Sequence, residues 1–135
     1  MLFRSEAGLH LIEEACRIVK EHGERYYEPE VLRIKGELQL LQATQPDSGN
    51  STGQQLTDLA DAAFAGAKAT AEGLGFASLT LRAASSQARR CLQTTSRASG
   101  IESLESALSA LQSGASSRDQ LVAQKLLEQL REVTD

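Results

Sequence analysis

Tryptophan is absent from this 135-residue chain, and aromatic residues make up only 4% of it. A core with so few large rings has to be filled mostly by Ala and Leu, which suits closely approaching helices better than a β-sandwich. Only two prolines occur, and the β-branched residues never fall into the alternating runs that mark half-buried strands. The two cysteines, Cys16 and Cys91, form no CxxC and have no His or Cys at ligand spacing. They read as reduced, buried thiols that pack as small hydrophobes. No run of about 18 apolar residues is present, so no membrane-spanning helix is expected. The opening MLFRSEAGLHLIEEA is interrupted by Glu6, Glu13 and Glu14 where a signal peptide needs an apolar stretch. A soluble, cytoplasmic protein is expected.

Clustered positive charge is missing too. The chain carries 18 acidic and 14 basic residues, and Arg89-Arg90 and Arg17 with Lys20 stand apart from one another. Counterion release from nucleic acid needs a basic patch, so no nucleic-acid partner is expected. There is no GxxxxGK[ST] loop for phosphates and no GxSxG elbow for a serine nucleophile. The segment DSGNSTG lacks the spaced carboxylates and closing Glu of a calcium loop. His10, Glu13 and Glu14 share one helical turn, but without a second ligand set they read as a solvated face. No catalytic residue, cofactor or metal is expected, and the chain does not read as an enzyme.

What is present is helical periodicity. Apolar residues at three- and four-residue steps predict six helices, over residues 6–22, 27–41, 56–72, 76–94, 101–112 and 118–133. Ser5 and Ser117 are the N-cap candidates for the first and last. The first helix should bury Leu9, Ile12, Cys16 and Val19, with Leu11, Ala15 and Ile18 widening that stripe. Gly23 then ends it. The second helix has Pro29 in its first turn, where a missing N–H costs nothing. Its stripe is Tyr27, Val31, Ile34, Leu38 and Leu41, and a second line, Leu32, Gly36 and Leu40, faces another neighbour. Gly36 costs about 1 kcal/mol against Ala inside a helix, which close approach of another helix backbone should offset. The third helix offers Leu59, Ala60, Ala63, Phe64, Ala67 and Ala71, and Gly73 and Gly75 punctuate its end. Inward residues of the fourth are Leu79, Ala83, Ala84, Ala88, Cys91 and Leu92. The fifth repeats Ile101, Leu104, Leu108 and Leu111; the sixth buries Leu121 or Val122, then Leu126, Leu127, Leu130 and Val133. Residues 45–55 read as a mobile surface loop. The expected fold is all-α: three antiparallel helix pairs in one domain over 1–135, the last pair at 101–133 being the weaker.

Ala60-x3-Phe64-x2-Ala67 resembles the small–aromatic–small spacing in the second helix of a tetratricopeptide repeat (TPR), and Leu32 with Gly36 resembles its first helix. Small residues let helices approach, and the aromatic fills the gap between pairs. Lys35 stands where that repeat prefers Leu, and Gln39 where it prefers an aromatic. The run GERYYEPEVLRIKGELQLL, with AAFAGAKATAEGLGFASLTLRAASSQARR and RDQLVAQKLLEQL, is similar to the C-terminal repeat region of a bacterial family. There, helical repeats follow an ATPase module, often with a class III adenylate or guanylate cyclase domain or a transcriptional-regulator domain. The resemblance implies a TPR-like right-handed α-solenoid, a non-catalytic scaffold in a signalling or regulatory protein. Tyr27, Leu32, Gly36, Ala60, Phe64 and Ala67 would be its repeat-packing residues.

The functional expectation is a protein–protein interaction module with a concave face carrying Tyr26, Arg33, Lys35, Gln39 and Arg82. The partner would be a protein, a peptide or other domains of a parent chain. Tyr27 is expected in the core. A regulatory domain that binds a small ligand between helix pairs is the alternative. The first helix is apolar on several sides with nothing preceding it, so self-association into a homodimer is also expected.

Overall fold

In a computed structural model, residues 2–22, 27–45, 50–94, 96–111 and 118–132 are described. Among them the chain is all-α, without a strand: α1 (Leu2–His22), α2 (Glu28–Ala43), α3 (Asn50–Leu74), α4 (Ala77–Leu92), α5 (Arg97–Ala110) and α6 (Arg118–Glu132). None of these helices is long and apolar enough to cross a membrane. The chain forms two compact units, residues 1–67 and 68–135, and the boundary falls within α3.

The first unit is built on α1 packed against α2. Their short connection makes them antiparallel, and Gly8 sets their levels: a Cβ there would stand 3.2 Å from Leu38 Cδ2. Val19 is buried on this seam, and Leu9, Ile12, Ala15 and Cys16 are half-buried. Ser5 lies inside α1, which begins at Leu2, so it does not cap the helix as expected. Pro29 sits in the first turn of α2 and is buried.

α2 turns a second face to α3. A Cβ on Gly36 would lie 2.5 Å from Phe64 Cε1 and 2.8 Å from Cδ1, so the ring occupies the space a side chain would need. A fully buried aromatic, where a helix backbone was expected, therefore offsets the cost of Gly36. Phe64, Ala60 and Ala67 have no exposed surface, and Leu32 is half-buried, 3.8 Å from a Cβ built on Gly66.

The expected stripe on α2 divides. Val31 and Leu38 are half-buried, whereas Tyr27, Ile34 and Leu41 are exposed, as are Leu11 and Ile18 on α1 and Leu59 on α3. The packing choice was between two lines on α2, and the Gly36 line won because only it lets Phe64 in. The polar segment 45–55 is also shorter as a loop than expected, since α3 starts at Asn50. Side chains support that start: Thr57 Oγ1 donates to the Gly53 carbonyl at 2.9 Å, and Gln54 Nε2 donates to Asp58 at 2.9 Å.

In the second unit α3 ends on Gly75, whose φ of 76° is open to glycine at no steric cost. The Phe76 N–H donates to the Ala71 carbonyl and the Gly75 N–H to Glu72, both at 3.1 Å, which closes a Schellman turn. α4 then packs against both α5 and α6, which also touch each other. Their shared core holds Leu81, Ala84, Ala88, Leu104, Ala107, Ala123, Leu126, Leu127 and Leu130. α4 runs antiparallel to α5, with Gln87 level with Ser103 and Cys91 level with Gly100. Leu121 is exposed and Val122 faces the core, so of the two expected alternatives Val122 packs inward.

Candidate interaction face on the α1–α2 hairpin

At about 100° per residue, α2 offers three distinct directions. Pro29, Gly36 and Gln39 are buried on the side facing α3, and Leu38 meets α1. Tyr27, Ile34 and Leu41, spaced seven apart, fall together on the remaining side; Tyr27 and Leu41 are each 56% exposed. On α1, Gly8, Ile12, Ala15 and Val19 make the seam toward α2. Leu11 and Ile18, again seven apart, stand beside that seam, and Leu11 is 70% exposed. Because the two helices run antiparallel, both rows belong to one face of the hairpin, turned away from Phe64. Stepping from Gly8 level with Leu38, Leu11 comes within one residue of the level of Ile34 and Ile18 within one residue of the level of Tyr27.

Charged rims border the rows with the same spacing on each helix, Glu14-x2-Arg17-x3-Glu21 and Glu30-x2-Arg33-x3-Glu37. Arg17 pairs with Glu14 and donates to Glu21 at 2.8 Å, and Arg33 Nε donates to Glu30 at 2.6 Å. The Arg17 hydrogen bond holds the Glu14 carboxyl below the usual carboxylate range, and the two acids push the Arg17 guanidinium up. Both α1 pairs are exposed, and such pairs contribute little to stability; their value lies in the charge pattern they display.

The five residues expected to form one face do not come together. Tyr26 lies outside the described residues. Arg33 and Lys35 are half-buried on α2. Lys35 acts on the Cys16 thiol: burial pushes that thiol up, and the Lys35 charge opposes the shift. Arg82 belongs to the second unit, where its Nε donates to Asp119 at 2.9 Å and ties α4 to α6. Gln39 is only 5% exposed, one turn beyond Gly36 on the side facing α3, so it cannot display its amide to a partner. Tyr27, expected in the core, is exposed and joins the apolar rows instead.

Gln39 Oε1 is buried and has no hydrogen-bond partner among the described residues. A buried acceptor left unpaired costs about 1–3 kcal/mol. Gln39→Leu is therefore expected to raise the unfolding free energy by about 1 kcal/mol, seen as a higher urea midpoint at unchanged slope. A lower midpoint would mean that the carbonyl is satisfied in solution.

Among the described residues, no three His, Cys, Asp or Glu side chains gather as a metal site, and His10 is exposed on α1. The geometry offers apolar rows with charged borders, which is the chemistry of helix docking. No family model, curated protein or solved structure matches the chain. The residues sequence reasoning missed are Leu11, Ile18, Ile34 and Leu41 as surface; their seven-residue spacing was the available signal.

Proposed function

We propose that the chain is a non-catalytic protein-interaction and scaffold module of TPR-like α-solenoid type, which takes a partner's helix on the apolar face of the α1–α2 hairpin. The observation that carries this reading is the pair of exposed apolar rows, Leu11 and Ile18 beside Tyr27, Ile34 and Leu41. Singly exposed apolar residues are ordinary, but contiguous ones rimmed by charge mark interaction sites. The burial of Ala60, Phe64 and Ala67, and the seating of Phe64 on Gly36, support the repeat-like packing. The resemblance of residues 23–41 and 62–90 supports placing the module in the cytoplasm, as the C-terminal part of a signalling ATPase- or cyclase-type protein.

Selection of displayed helical peptides against the purified chain tests the reading. Enriched peptides should carry apolar residues at i, i+3 or i+4, and i+7. Leu11→Asp with Leu41→Asp, which puts a carboxylate into each apolar row, should abolish their capture while far-UV circular dichroism stays unchanged. Selection without enrichment would overturn the module reading, and unaltered capture by the double variant would remove these two residues from the face.

A second reading, a regulatory domain sensing a small ligand between helices, is favoured by one observation, the unpaired Gln39 carbonyl in the core. A ligand that donates to it would raise the melting temperature by mass action, and Gln39→Leu would erase that rise.

A further inference from the structure

The exposed rows and their rims fit a particular occupant. We propose that a second copy of this chain covers the α1–α2 face, an inference that rests on reading this face as an interaction surface. A two-fold axis parallel to the helices lays α1 of one copy on α2 of the other and keeps every residue at its own level. Gly8 lies level with Leu38, so each step forward along α1 matches one step back along α2. Leu11 then comes within one residue of the level of Ile34 of the second copy, and Ile18 within one residue of the level of Tyr27 of the second copy.

The same levels decide the rims. To within one residue of those levels, Arg17 comes against Glu30 of the second copy, Glu14 against Arg33 of the second copy, and His10 against Glu37 of the second copy. Opposite charges face each other at the first two positions, and an imidazole faces a carboxylate at the third. This follows from the shared Glu-x2-Arg-x3-Glu order on two antiparallel helices. A two-fold contact must be self-complementary, every contact occurring twice, and this arrangement meets that condition in both its apolar and its charged parts. The apolar rows amount to a few hundred Å², as large as the biggest patch on an ordinary monomer.

Sedimentation equilibrium of the full chain from micromolar to millimolar concentration tests the proposal. A reversible dimer is expected, and Leu11→Asp with Leu41→Asp should leave only monomer. Both side chains are exposed, so the variant keeps its fold and its circular dichroism. The charge pattern gives a sharper test. Arg17→Glu and Glu30→Arg should each weaken the homodimer about tenfold, since each places two like-charged contacts in it. Mixing the two variants should restore assembly, because one arrangement of the heterodimer pairs Glu with Arg at both rims. A monomer at every concentration, a dimer indifferent to Leu11→Asp with Leu41→Asp, or no recovery on mixing would each overturn the proposal. A monomeric chain that still selects helical peptides would overturn the second copy as occupant and leave the module reading standing.

Discussion

Phe64→Ala is expected to lower the unfolding free energy by about 3–5 kcal/mol, the range for emptying a buried aromatic site. The ring has no exposed surface and fills the space over Gly36, where a Cβ would come within 2.5 Å of it. Helix backbone lines one side of the resulting cavity, so side-chain rotation there cannot refill it. The partner position gives the complementary result. Gly36→Ala alone gains about 1 kcal/mol of helix propensity, but forces the buried ring aside at a cost of about 1–3 kcal/mol. A net loss is expected. Gly36→Ala with Phe64→Leu should lose less than the two single changes added together, because the smaller side chain leaves room for the new methyl group. Urea unfolding of the two singles and the double closes the cycle. Strict additivity would mean that the two positions do not touch.

Leu130→Ala is expected to cost about 2–5 kcal/mol, while Leu121→Ala on the same helix should stay within about 0.5 kcal/mol. Leu130 has no exposed surface, shares its core with Leu104 and Leu126, and reaches within 3.2 Å of a Cβ built on Gly100. Leu121 is 64% exposed. The two leucines differ in almost nothing but the side of α6 on which they stand, so the contrast isolates packing from helix propensity. Hydrogen exchange gives the local readout: amides of α5 and α6 should lose protection in the first variant and keep it in the second. Equal losses in both would show that the core drawn around α4 is misplaced.

The all-α class and the six helices were legible because helical periodicity is a local signal, and the three- and four-residue steps recur in every segment. Ends were less legible. Asn50 to Gln55 read as loop from composition, yet Thr57 and Asp58 supply side-chain hydrogen bonds that let α3 begin early. The choice of buried face on α2 was the larger difference. Tyr27, Ile34 and Leu41 form the more apolar line, and periodicity alone assigns that line to the core. Packing followed the line with Gly36 because an aromatic on α3 needed a bare backbone, a relation between residues 28 apart that no single-helix pattern contains. Gln39 illustrates the same point. It stands where the repeat it resembles prefers an aromatic, which marks an inward position, but its polarity argued for the surface. On the candidate face, Arg33 and Lys35 remain on the α1–α2 hairpin, while Arg82 is engaged with Asp119 in the other unit. Only the seven-residue spacing of the apolar rows pointed to the surface that the geometry now favours.

That the two compact units are contiguous stretches, residues 1–67 and 68–135, bears on how the chain leaves the ribosome. Helical contacts among near neighbours form in microseconds to milliseconds, whereas the second half takes on the order of several seconds to synthesise at about 5–20 residues per second. Phe64 therefore finds Gly36 while the residues that build the second core are still being joined.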